Sequence, residues 1–173
     1  MKYWIRLFIL IGAIVTFFAA IGFFLPHGYS FSAQTTVAAS PEDVYARIDS
    51  LPKWKSWSQW NPDKIESLKI EYGPDGTSQS WSDVRGSGKL WFTDQLQNEQ
   101  VSYKLRFANF PEMESTIKLE PFNDQTKVIW SSKGKLPSSP FYGFFRGVYV
   151  NGMQMQYQQS LDLLKSEVEN GDK

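Results

Sequence analysis

Residues 7–25 read LFILIGAIVTFFAAIGFFL, nineteen positions with one polar side chain, Thr16, and no charge. As a helix rising 1.5 Å per residue, such a run spans roughly 28 Å, close to the ~30 Å of hydrocarbon in a bilayer. In lipid, a helix is the form in which a single segment satisfies its own backbone groups. Tyr3 and Trp4 stand at one end as interfacial aromatics, and Pro26 stops the helix at the other. The competing reading is a cleaved signal peptide, with Gly28 and Ser30 as small residues at a weak cleavage site. Its apolar region normally runs about 7–15 residues, so the length favours an uncleaved anchor. Lys2 and Arg6 precede the stretch, and the next basic residue after it is Arg47. The positive-inside rule therefore puts residues 1–6 in the cytoplasm and 7–25 across the inner membrane. Residues 26–30 become a linker, and a domain over 31–170 is expected on the extracytoplasmic, periplasmic side.

Composition removes several function classes. The chain has no cysteine, which excludes disulfides, thiolate metal sites and thiol nucleophiles. A single histidine, His27, argues against a Ser–His–Asp triad and a multi-histidine metal site. Beyond Arg6 the chain carries 16 basic and 18 acidic residues, so nucleic acid is not an expected partner. No metal and no cofactor is expected.

Phe31–Ala39 has the β-branched content of a first strand. Ser40-Pro41-Glu42-Asp43 starts a helix: a serine N-cap, a proline at the first position and acids in the first turn. That helix runs through Ile48. A second short helix carries Trp54, Trp57 and Trp60 on one face. From residue 64 short strands alternate with turns. They are Ile65–Tyr72, Ser78–Asp83, Lys89–Gln97, Val101–Phe107, Met113–Glu120 and Thr126–Lys133, with Arg85-Gly86-Ser87-Gly88 as one of the turns. Val101–Phe107 alternates Val, Tyr, Leu and Phe against Ser, Lys and Arg. Phe141–Glu169 is a long helical pattern whose apolar stripe runs Phe141, Phe145, Val148, Met153, Tyr157, Leu161, Leu164, Val168. Gly143, Gly147 and Gly152 within it suggest close approach to something, or a curved or late-starting helix. Strands in a run, with helices segregated, make an α+β fold in which the long helix covers one face of an antiparallel sheet.

This order resembles the START-like, or SRPBCC, superfamily, which includes the polyketide cyclase/dehydrase and lipid-transport group. FSAQTTVAASPEDVYARIDSLPKWKSW is similar to the family's opening strand, its Ser-Pro-Glu helix start and its tryptophan-bearing second helix. Tyr72-Gly73-Pro74 with Gly76 resembles the turn before the middle strands of a bacterial subgroup, and Leu161, Leu164, Lys165 and Glu167 resemble the end of the closing helix. Many relatives have Gly-x-Gly after that turn; this chain has Gly76-Thr77-Ser78. The resemblance implies a helix-grip fold, a curved antiparallel sheet around a long C-terminal helix, here behind one transmembrane helix. It also implies a cavity for an apolar ligand such as a lipid, quinone, polyketide or steroid. Only a minority of the family are enzymes.

Aromatic residues make up 16% of the chain. They are open to three uses: lining a cavity, filling a core or, for an exposed Trp near the anchor, sitting at the lipid interface. Candidates for a ligand cavity are Trp54, Trp57, Trp81, Trp91, Tyr103, Phe145, Tyr149, Met153, Gln156 and Tyr157. Asp83, Arg85, Asp94, Glu112, Glu114, Tyr103 and Tyr149 are the candidate acid/base groups and have no catalytic spacing, the Glu112/Glu114 pair reading as solvated surface; Arg146 is read as binding an anion or pairing with an acid. No catalytic residue is assigned. The expected function is membrane-anchored binding of a small apolar or amphipathic molecule, without catalysis. The alternatives are a cyclase- or hydrolase-type enzyme using the same cavity and a protein–protein interaction module of the envelope.

Overall fold

The computed structural model describes residues 2–171; Met1, Asp172 and Lys173, at the ends of the expected segments, lie outside the described residues. Helix α1 (Lys2–Phe24) is the one described helix long and apolar enough to cross a membrane, and it is almost entirely exposed. Strand β1 (Gly28–Val37) follows, then α2 (Pro41–Ile48), a 3-10 turn (Leu51–Lys53) and α3 (Trp54–Trp57). Six strands come next: β2 (Lys69–Tyr72), β3 (Ser78–Asp83), β4 (Gly86–Leu96), β5 (Gln100–Phe107), β6 (Met113–Phe122) and β7 (Gln125–Lys135). Helix α4 (Pro140–Asn170) closes the chain. The seven strands form one curved antiparallel sheet in the order β1-β7-β6-β5-β4-β3-β2, so the fold is α+β of the helix-grip kind.

Local chemistry accounts for the boundaries. Ser40 caps α2 by accepting from the Asp43 amide at 3.2 Å, and the Asp43 carboxylate accepts from the Ser40 amide in return. Asn123 and Asp124 both have positive φ, the two-residue turn that matches strand twist between β6 and β7. A register shift between Phe92 and Asp94 inserts an extra residue into β4, which bends that strand.

Several boundaries differ from expectation. β1 begins at Gly28, where Tyr29 is already buried and Gly28–Ser30 pair with Lys135–Lys133. α3 ends at Trp57, because Ser58 turns extended; Trp60 is therefore not on its face. The strand expected from Ile65 begins at Lys69. Asn61 organises the preceding turns, its Oδ1 accepting from the Asp63 and Lys64 amides at 2.8 and 3.1 Å. Gly86-Ser87-Gly88 is not a turn but the start of β4, and Val84-Arg85 make the hairpin. Gly88 lies directly across from Trp81, whose ring occupies the space a side chain would need; a Cβ there would also sit 2.6 Å from the Arg106 carbonyl.

The largest correction concerns α4. Its C-terminal half buries Tyr157, Leu161, Leu164 and Val168 against the sheet, and Lys165 and Glu167 tie it to Thr36 and Arg47. Its N-terminal half does not continue the stripe into the core: Phe141, Phe145 and Val148 are exposed. The sheet interior is filled around Val37, Ile48, Trp57, Val101, Ile117 and Leu164. The apolar interior is thus solid beneath the last turns of α4, around Leu161, Leu164 and Val168, and opens beneath its middle.

Candidate ligand cavity

A cavity of about 360 Å³ lies between the sheet's inner face, α3 and the middle of α4. That is at the lower end of the ~300–1,000 Å³ typical of small-molecule sites. Its strand wall follows from alternation: Leu105 and Phe107 on β5, like Tyr103, face inward as the sequence pattern indicated. Trp81 on β3, Leu90 on β4 and Trp130 on β7 add to that wall. Helix α4 contributes Tyr149, Met153, Gln156, Tyr157 and Ser160. Among the described residues no aspartate, glutamate or histidine lines the cavity; Lys55 and Arg85 are its cations. Each already has an acid: Lys55 pairs with Asp63 at 3.2 Å and Arg85 with Asp83 at 2.6 Å. Arg85 also lies 4.9 Å over the Trp60 ring.

The polar centre of the wall is a buried hydrogen-bond chain. Trp130 Nε1 donates to the Tyr103 hydroxyl at 2.9 Å. The Tyr103 and Tyr157 hydroxyls share a bond of 3.1 Å, Ser132 Oγ donates to Tyr157 at 3.0 Å, and Ser132 meets Ser115 at 2.6 Å. The Trp130 and Tyr157 rings stack with centroids 3.9 Å apart. Burial pushes the pKa of both Tyr103 and Tyr157 up, so both phenols stay protonated at neutral pH. They offer hydrogen bonds, not a base. Trp60 Nε1 and Trp81 Nε1, on rings 5.9 Å apart, are buried without a partner among the described residues.

Seven of the ten candidates line this cavity: Trp54, Trp81, Tyr103, Tyr149, Met153, Gln156 and Tyr157. The other three do not. Trp57 is fully buried, its Nε1 donating to the Arg47 carbonyl at 3.1 Å, and belongs to the packed core. Trp91 follows the inward-facing Leu90 on β4 and so points to the opposite face, into an open groove lined by Lys69, Glu71 and Lys89. Phe145 stacks on Phe141 at 4.3 Å and is exposed. Arg146 has no acidic partner among the described residues; its Nε donates to the Gly28 carbonyl at 2.6 Å. Glu112 and Glu114 are surface acids held below the usual carboxylate range by hydrogen bonds from Arg106 and Lys133. Not foreseen as lining residues were Tyr29, Trp60, Phe107, Phe110 and Trp130. Trp130 was accessible to the same alternation that finds Tyr103, since Val128, Trp130 and Ser132 share one face of β7.

The comparisons agree with this architecture. The family model described as polyketide cyclase / dehydrase and lipid transport matches residues 29–169. No curated protein matches the chain. Among solved structures, TTHA0849 from Thermus thermophilus is similar with a TM-score of 0.63 at 20% identity, covering 84% of this chain and 100% of its own. MLL2253 from Mesorhizobium loti gives 0.63 at 16% identity, with 84% and 100% covered. XoxI from Bacillus cereus gives 0.62 at 16%, with 83% and 98% covered. At such identities the likeness establishes the fold alone.

Proposed function

The chain belongs to the polyketide cyclase / dehydrase and lipid transport family, and from that premise we propose that it is a membrane-anchored, non-catalytic binding domain for one small apolar or amphipathic molecule. A single observation carries this reading: an aromatic cavity of about 360 Å³ whose lining holds hydroxyls, amides and indoles but no carboxylate or imidazole. Such a lining accepts an apolar body and offers hydrogen bonds to a carbonyl or hydroxyl. The two buried phenols, kept neutral by desolvation, share one hydrogen bond and leave one O–H as a donor for such a group. The volume suits a single ring system or a single acyl chain better than a two-chain lipid.

Helix α1 crosses the inner membrane in this reading, with residues 1–6 cytoplasmic and the domain of residues 31–170 on the periplasmic side. The anchor keeps the cavity close to a source of apolar ligand. The test is native mass spectrometry of the full chain released from detergent. A reproducible adduct the size of one small lipid, quinone or polyketide-like molecule is expected. A folded protein that carries no adduct, and takes up none when such compounds are added, would defeat the proposal.

A further inference from the structure

Helix α4 is built from two unlike halves, and the first has a chemistry the fold itself does not use. Phe141, Phe144, Phe145 and Val148 are all exposed, Val148 at 72%. The chain carries no carboxylate between Asp124 and Asp162, and the cations nearest this face are Lys135, at the end of β7, and Arg146; Lys133 is paired with Glu114 at 3.1 Å and Lys127 lies at the far end of β7. On the other converging segment, no charged residue occurs from Leu7 to Pro41. An exposed aromatic face flanked by cations is the composition of a surface that meets lipid headgroups.

Contact with α1 sets the depth of that face. Gly22 and Gly143 meet at the crossing: a Cβ on Gly22 would lie 2.5 Å from the Pro140 carbonyl oxygen, and one on Gly143 2.7 Å from the Gly22 carbonyl oxygen. Small residues permit such backbone approach between helices in membranes. Beyond the crossing, the Phe144 ring packs against Phe18 at 6.2 Å. Phe18 precedes Phe24, the end of α1, by six residues, about 9 Å of helix rise. Whatever leans on Phe18 while α1 spans the bilayer shares its depth. That depth matches the ~5–10 Å to which interfacial helices sink.

We infer that the first three turns of α4 are a second membrane-docking element, seated in the outer-facing leaflet beside α1, with Phe141, Phe144, Phe145 and Val148 in the acyl region. This rests on the reading that α1 crosses the membrane. Lys135 and Arg146 then stand at headgroup level. The domain is held against the bilayer by its own helix and does not hang from the Leu25–His27 connection alone. Tyr149, next to Val148, lines the cavity, and so does Phe110, whose ring meets Tyr142 edge-on at 5.4 Å. Docking therefore brings one end of the cavity to the lipid.

The absence of cysteine makes the test direct. Full-length Phe141→Cys, Val148→Cys, Ile14→Cys and Asp124→Cys chains, each carrying a nitroxide, are reconstituted into phosphatidylcholine/phosphatidylglycerol vesicles. Accessibility to oxygen and to a water-soluble nickel chelate is measured. Asp124 serves as the aqueous reference, because it lies at the far end of the β7 ladder from Lys135. Oxygen-to-nickel ratios several-fold above that reference are expected at 141 and 148, as at 14. Two positions are labelled so that a local effect of one substitution does not decide the result. Aqueous ratios at both 141 and 148, with lipid at 14, would overturn the docking and leave the anchor standing. An aqueous ratio at 14 would remove the anchor and the docking together.

Discussion

Tyr103 sits where packing and polarity have to be satisfied together. Its ring is buried against Trp54, and its hydroxyl is the acceptor for the Trp130 indole N–H. Replacing Tyr103 by Phe leaves that N–H buried without a partner, which costs about 1–3 kcal/mol. Urea unfolding of Tyr103→Phe against the parent chain measures this; a change within a few tenths of a kcal/mol would show that the hydroxyl chain is not under load. The same phenols set an alkaline limit. Burial raises the pKa of Tyr103, Tyr149 and Tyr157 in the folded state above the ordinary value of about 10. Their preference for the folded state is therefore complete below about pH 10 and is lost as pH rises past it toward the folded-state values. The melting temperature should be flat between about pH 7 and pH 9 and fall above about pH 10, and a Tyr103→Phe/Tyr157→Phe pair should flatten that fall. At this scale the sequence was legible where alternation acted. Val101–Phe107 put Tyr103 inward, and the same rule would have found Trp130. It was illegible at Trp54 and Trp57, which share a helical face; only the third dimension makes one a wall and the other a core residue.

Among the elements, β1 and α4 differ most in how readably they were written. β1 pairs along all ten residues with β7, which also pairs with β6. A domain starting at Gly28 should therefore unfold cooperatively, and one starting at Ala38 should aggregate or melt far lower, because β7 becomes an open edge. Thermal denaturation of the two compares them; equal midpoints would mean that β1 is dispensable. The length and ends of α4 followed from periodicity, the prolines before it and Asn170-Gly171 after it, but the stripe did not. Periodicity reports an apolar face without saying whether protein or lipid covers it, so Phe141, Phe145 and Val148 read as part of the stripe that covers the sheet, with Phe145 as a cavity candidate. The glycines gave a partial signal. Gly143 does mark a close approach, whereas a Cβ on Gly147 or Gly152 would meet nothing. Gly22→Leu should wedge α1 away from Pro140 while leaving both helices intact. Spin labels on Thr16 and Phe145 should then separate, and an unchanged distance would contradict the crossing.

For the whole molecule, the family order of strand, helices, strands and closing helix was readable because turn residues punctuate it. The cavity was not, since no one-dimensional pattern distinguishes a solid interior from one with a void. What the cavity does is decided by whether its space is available. Met153 lines it from α4 and is partly exposed, so a larger side chain there projects into open volume instead of the packed layer around Leu161 and Leu164. Tryptophan emission of the full chain is titrated with single-chain fatty alcohols and a short-chain quinone, for the parent and for Met153→Trp, each with its melting curve. Saturable binding to the parent is expected, weakening with each methylene removed by up to ~0.8 kcal/mol. Met153→Trp is expected to lose that binding at least tenfold, with a melting midpoint close to the parent's. A folded parent that binds none of these compounds saturably would contradict the binding function. So would a Met153→Trp chain that unfolds without first losing a ligand, since overpacking destabilises a filled core.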